Sequence, residues 1–217
     1  MAERAESSSV VAIVALVLVV VVASTFLLAR TLPDGPPPDT FIIGDSVTFL
    51  SAGRLQQQFD PNHLQFVAKP GFTSADLLPL VIKAMGMPDG PAQAREHVGV
   101  LVGYNDVRVK DVSPPSLHEM VDATAQFKCG IWLTIPVRPY GKDNPNVMAT
   151  SDLAAEWNLR MEHEVAQHPN LHIVHDWADA VTRSKPGQLL KDDNVHPNEV
   201  GQVRLAAIYR SAMDHYC

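Results

Sequence analysis

From Thr40 to Cys217 short apolar runs alternate with longer amphipathic segments, and no other feature of the chain restricts its fold as much. Five runs read as strands: Thr40 to Ile43, Leu64 to Ala68, Val98 to Val102, Gly130 to Ile135 and Leu171 to His175. Helical patterning falls around Phe49 to Phe59, then over Ser74 to Ala84, Ser116 to Phe127, Ser151 to Gln167 and Pro197 to Asp214. Several of these segments start suitably. Ser74 has Asp76 and Leu77 in its first turn, Ser151 is followed by an acidic residue, and Pro197 suits a first helical position. Such alternation is that of a parallel sheet with crossover helices. The predicted domain is an open, doubly wound α/β fold, in which ligands bind outside the carboxyl ends of the strands.

Ahead of this domain, Val10 to Leu28 is an uncharged apolar run of about the length that crosses a bilayer. Its insertion should be favourable by roughly several kcal/mol. Residues 1–9 then form a tail, 10–29 a transmembrane signal anchor, 30–39 a proline-rich, fairly stiff linker and 40–217 the domain. Arg4 precedes the run and Arg30 follows it, so flanking charge gives no orientation. The short tail and long carboxyl-terminal domain are those of a signal anchor, which places the domain outside the cytoplasm. Cleavage near Val21 and Ala23 would instead release it. A net charge of −7 without a cluster of Lys and Arg argues against a nucleic-acid partner.

Four short motifs follow predicted strands and would converge on one edge of the sheet. Gly44-Asp45-Ser46 puts a hydroxyl at a strand-to-helix turn, where a free N–H favours negative charge, although a serine there can also simply cap the helix. In Lys69 to Ser74, Gly71 permits a close backbone approach or marks only a turn. Gly103-Tyr104-Asn105-Asp106 offers an amide to an oxyanion, or is a commonplace turn. Asp193-Asn194-Val195-His196 sets a carboxylate three residues before an imidazole, so that one ring nitrogen can be held while the other faces a nucleophile; the alternative is a helix cap beside a surface histidine. Taken together, they supply the nucleophile Ser46, the base His196, the orienting Asp193 and oxyanion donors from Ser46, Gly71 and Asn105.

On these motifs the chain resembles the SGNH hydrolases, also called GDSL esterases and lipases, over almost all of Thr40 to Cys217. The GDS block corresponds to Gly44-Asp45-Ser46, the second block to Gly71, the GxND block to Gly103 to Asp106 and the DxxH block to Asp193 to His196. The resemblance implies a flavodoxin-like three-layer sandwich with a five-stranded parallel sheet, a Ser-His-Asp triad, and no metal or organic cofactor. It implies a serine esterase acting on acyl esters through an acyl-enzyme. The alternatives are an O-acyltransferase or deacylase of an envelope glycan or lipid, and a non-catalytic carbohydrate- or lipid-binding module. Ser46 lacks the flanking glycines of an α/β-hydrolase elbow.

Further residues belong to the same reading. Asp45 and Tyr104 are candidates to shape the substrate pocket, Tyr104 because it stands where a smaller residue is common. Arg138 and Tyr140, in a loop overhanging the site, are candidates to meet substrate. His163, His168, His172 and His175 lack the spacing of a metal site, and Trp132, Trp157 and Trp177 read as packing residues. Cys129 lies at the bottom of the sheet, where a last helix running down from the catalytic edge would bring Cys217, so an exported domain could pair them.

Overall fold

The structure is a computed structural model that describes residues 40–61, 63–86, 96–138 and 151–217. The expected transmembrane anchor and linker lie outside the described residues, as does Tyr140. Among the described residues, no helix is long and apolar enough to cross a membrane.

Five strands form one parallel sheet: β1 (Thr40–Gly44), β2 (Leu64–Ala68), β3 (His97–Leu101), β4 (Cys129–Leu133) and β5 (Leu171–Val174). Their order is β2-β1-β3-β4-β5. The chain therefore reverses its direction of travel between β1 and β3, which opens a crevice at their carboxyl ends. Every residue of β1 is buried, as expected of a central strand covered on both faces.

Seven helices connect and cover the strands in the described residues: α1 (Ser46–Gln56), α2 (Ser74–Ala84), α3 (Tyr104–Arg108), α4 (Pro115–Thr124), α5 (Ser151–Val165), α6 (Asp176–Arg183) and α7 (Glu199–Tyr216). α7 packs on α1 and α6, while α4 packs on α2 and α5. The three tryptophans are core residues: Trp132 donates to the Thr124 hydroxyl and Trp177 to the Tyr104 phenol, and Trp157 lies fully buried.

Boundaries differ from the sequence expectation where side chains cap. α1 starts at Ser46 rather than near Phe49, because the Asp45 carboxylate accepts from the Val47 N–H. α2 is capped by Thr73 in a reciprocal capping box with Asp76. The cap of α7 is Asn198, so Pro197 stands before the helix and not at its first position. The short helices α3 and α6 lie outside the sequence expectation; with five and eight residues, they give little periodicity to read.

Cys129 opens β4 at the amino-terminal edge of the sheet, and α7 runs from the opposite edge down to Cys217. The two form a disulfide with Cα atoms 5.6 Å apart and 88 residues of sequence separation. Closing so long a loop lowers the entropy of the unfolded chain. Replacing both cysteines (Cys129→Ser with Cys217→Ser) should cost about 2–4 kcal/mol, read as a lower urea midpoint with a slope that is unchanged or steeper as the unfolded chain expands.

Candidate active site

The parallel register brings three strand ends level. Gly44 pairs with Ala68 on one side and Leu101 on the other. The Lys69 N–H donates to the Gly44 carbonyl at 3.1 Å, tying the exits of β1 and β2 together. The segments that leave these ends carry Ser46, Gly71 and Asn105. Ser46 is the first residue of α1, so its N–H is one of the donors that a helix terminus leaves unpaired.

The fourth segment comes from the loop between α6 and α7. Its hairpin-like closure is held by a bridge between Leu190 and Pro197 and by the Lys191 N–H donating to the His196 carbonyl at 2.8 Å. Within it, Asp193 Oδ1 accepts the N–H groups of Val195 and His196, each at 2.9 Å. Asp193 Oδ2 stands 2.7 Å from His196 Nδ1, and His196 Nε2 stands 2.9 Å from Ser46 Oγ. Desolvation of the half-buried carboxyl opposes its ionisation, but the hydrogen bonds from the His196 ring and the two N–H groups outweigh it and hold Asp193 below the usual carboxylate range. An ionised Asp193 only accepts, so Nδ1 carries the imidazole proton. Nε2 is then the free base that accepts from the serine hydroxyl.

Two further candidate donors sit in the segments that leave β2 and β3. Gly71 adopts φ +80°, a left-handed conformation suited to glycine, and its N–H takes no backbone acceptor among the described residues. The Asn105 amide is oriented at both ends: Nδ2 donates to the Phe72 carbonyl at 3.0 Å, and Oδ1 accepts from Arg108 Nε at 3.2 Å. Among the described residues, the other N–H of Nδ2 meets no acceptor. Gly103 precedes it with φ +120°, under the Trp157 indole; a Cβ there would lie 2.1 Å from Trp157 Nε1, so no other residue fits this start of α3.

Beneath the surface the Asp106 carboxylate accepts from the Ser74 N–H at 3.0 Å and from the Ser74 hydroxyl at 2.6 Å, with the Ser116 hydroxyl 3.0 Å further on. This network joins the start of α2 to α3 and so fixes the Gly71 turn relative to Asn105. Neither Ser74 nor Arg108 is singled out for this role by the sequence reading. A polar residue at a predicted helix start is normally assigned to capping, and that assignment hides the contact to Asp106.

Two further candidates, Asp45 and Tyr104, are placed differently from their sequence reading. Asp45 is fully buried and caps α1, and cannot meet a substrate. Tyr104 is 5% exposed; its phenol accepts the Trp177 indole and ties α3 to α6 instead of lining a pocket. Arg138 Nη2 donates to Asn194 Oδ1 at 2.8 Å, within the Asp193 to His196 turn. His168 faces Asp122, His172 stacks on Tyr216, and His175 lies by Thr134 and Glu162.

No protein-family model and no curated protein matches the chain. Solved structures do match its fold. The lipase/acylhydrolase from Enterococcus faecalis is similar with a TM-score of 0.63 and 18% identity, over 81% of this chain and 95% of that one. The C-terminal catalytic domain of Streptococcus pneumoniae peptidoglycan O-acetyltransferase A, carrying a methylsulfonyl adduct, gives 0.61 and 17%, over 84% and 96%. An acetyl xylan esterase from Geobacillus stearothermophilus gives 0.51 and 19%, over 81% and 94%. The domain thus has the fold of the GDSL, or SGNH, lipases and acylhydrolases.

Burial raises the Asp45 carboxyl to about 7, with the N–H of Val47 opposing the rise and the neighbouring Asp106 adding to it. Burial likewise raises Asp106 to about 6 against the bonds from Ser74. A raised folded-state value means that the native state binds the proton more tightly than the unfolded chain. The resulting stability is fully present below the ordinary carboxylate range and is lost as pH rises through about 7 for Asp45. Asp45→Asn keeps a carbonyl for Val47 and cannot ionise. It should flatten the fall in melting temperature between pH 4 and 7, leaving the smaller part due to Asp106; an unchanged slope would mean that Asp45 does not titrate there.

Proposed function

We propose that this chain is an SGNH-type serine acyl-transfer enzyme, a carboxylic ester hydrolase with Ser46 as nucleophile, His196 as general base and Asp193 as its orienting carboxylate. The observation that carries the reading is the imidazole of His196 bridging Ser46 Oγ at 2.9 Å and Asp193 Oδ2 at 2.7 Å. Fold likeness supports it without identifying the substrate.

In this reading the Ser46 oxygen attacks the acyl carbonyl while its proton passes to His196 Nε2. Asp193 keeps the proton on Nδ1 and stabilises the imidazolium that forms. The carbonyl oxygen becomes an oxyanion held by the N–H groups of Ser46 and Gly71 and by the remaining N–H of Asn105. Collapse expels the alcohol, which takes its proton from His196 and leaves the acyl group on Ser46. Water then repeats the sequence in reverse and releases the acid. A sugar hydroxyl in place of water would make the protein an O-acyltransferase, a second reading favoured by the likeness to the peptidoglycan O-acetyltransferase domain. The apolar run before the domain supports membrane anchorage, and the Cys129–Cys217 disulfide supports an oxidising, extracytoplasmic compartment. An acyl ester of an envelope glycan or lipid is the substrate class this setting suggests.

Hydrolysis of p-nitrophenyl acetate by the full-length protein tests the reading. Ser46→Ala should lower kcat by roughly a thousandfold or more, and Asn105→Ala by roughly a hundred- to a thousandfold. Turnover that survives Ser46→Ala would remove the nucleophile from the account. Adding a sugar or simple alcohol separates the two outcomes, since a transferase forms the new ester faster than free acid.

A further inference from the structure

Arg138 is a half-buried cation in the segment leaving β4, and its partners are specific. Nη2 donates to Asn194 Oδ1 at 2.8 Å, across 56 residues of sequence. Nη1 approaches the Val181 carbonyl at 3.5 Å, close to the carboxyl end of α6, where a cation suits the exposed carbonyls. The guanidinium therefore joins three segments: the exit of β4, the end of α6 and the turn that carries Asp193 and His196.

Asn194 is the pivot of that turn. It has φ +58°, in the left-handed region that few residues other than glycine, asparagine and aspartate enter readily. Its conformation turns the chain so that both the Val195 and His196 N–H groups reach Asp193 Oδ1. If Asn194 relaxed to an extended conformation, the carboxylate and the imidazole could not keep their present spacing. Among the described residues, the bond from Arg138 is the one that holds the Asn194 side chain.

We infer that Arg138 is a positioning residue for the catalytic turn: it fixes Asn194 and, through it, the alignment of His196 between Asp193 and Ser46. The inference rests on the proposed acyl-transfer reading, in which a displacement of the base by about 1 Å can cost on the order of a hundredfold in rate. It also replaces the expectation that Arg138 meets substrate.

The test compares Arg138→Ala, Asn194→Ala and the double variant in the full-length protein, with Arg138→Lys as a milder change should the alanine variant fold poorly. Each single alanine variant should lower kcat on p-nitrophenyl acetate by roughly ten- to a hundredfold with KM within about twofold of wild type. The double variant should be no slower than the slower single, because both changes break one link. Ethylguanidinium should restore part of the loss in Arg138→Ala and none in Asn194→Ala. Independently of turnover, the low-field proton resonance of the His196 Nδ1–H should be sharp in the wild type and broadened or absent in all three variants. A raised KM at unchanged kcat, with effects that add in the double variant, would assign Arg138 to substrate and overturn the positioning role. An unaltered resonance in Arg138→Ala would overturn it equally. Failure of the esterase reading is distinct: the wild type would show no turnover, while the resonance would still report on the turn.

Discussion

The alignment of Gly44 with Ala68 and Leu101 is the constraint on which the site depends. In a parallel sheet all strands leave from the same edge, so one register sets the heights of three departing segments at once. Slipping β2 or β3 by one residue would carry Gly71 or Asn105 about 3.3 Å along the strand direction, further than the hydrogen bonds of the proposed oxyanion site would tolerate. The register is protected by burial. β1 is apolar and covered on both faces, and a slip of β2 or β3 against it would also misplace Val67, or Val98 and Val100, in the core.

Two buried carboxylates turn that alignment into a rigid site. Asp45 caps α1 and thereby puts Ser46 at the helix terminus; Asp106 ties the start of α2 to α3 through Ser74. Each is shielded from water and held with its proton affinity raised, which costs stability in neutral solution. In the proposed reading the cost accompanies function, since without these bonds Ser46, Gly71 and Asn105 would sit on three independently moving loops. The base reaches the same edge from the far end of the chain, on a turn closed by its own backbone bonds and braced by Arg138.

Much of this is legible in the sequence. Strand runs such as Thr40–Gly44 are short and mostly apolar, and their alternation with longer amphipathic segments announces a parallel sheet. The GDS, GxND and DxxH motifs mark where chemistry-bearing side chains leave it. What escapes is set by contacts between segments distant in sequence. Tyr104 looks like a pocket residue until Trp177, 73 residues later, claims its phenol. Asp45 looks available to substrate because a cap is legible only when the helix start is placed to the residue. Arg138 sits in a segment whose polarity suggests an open loop, and only the folded chain brings it to Asn194. The short helices α3 and α6 carry too few turns for a periodic signal.

The central claim is that His196 activates the Ser46 hydroxyl. The most direct measurement is covalent labelling of the full-length protein by an alkylsulfonyl fluoride, read by intact mass and peptide mapping. The account predicts one adduct, on Ser46, which forms readily in the wild type and is slowed at least a hundredfold in His196→Ala. An adduct that formed as fast without the imidazole, or none on Ser46 at all, would contradict it.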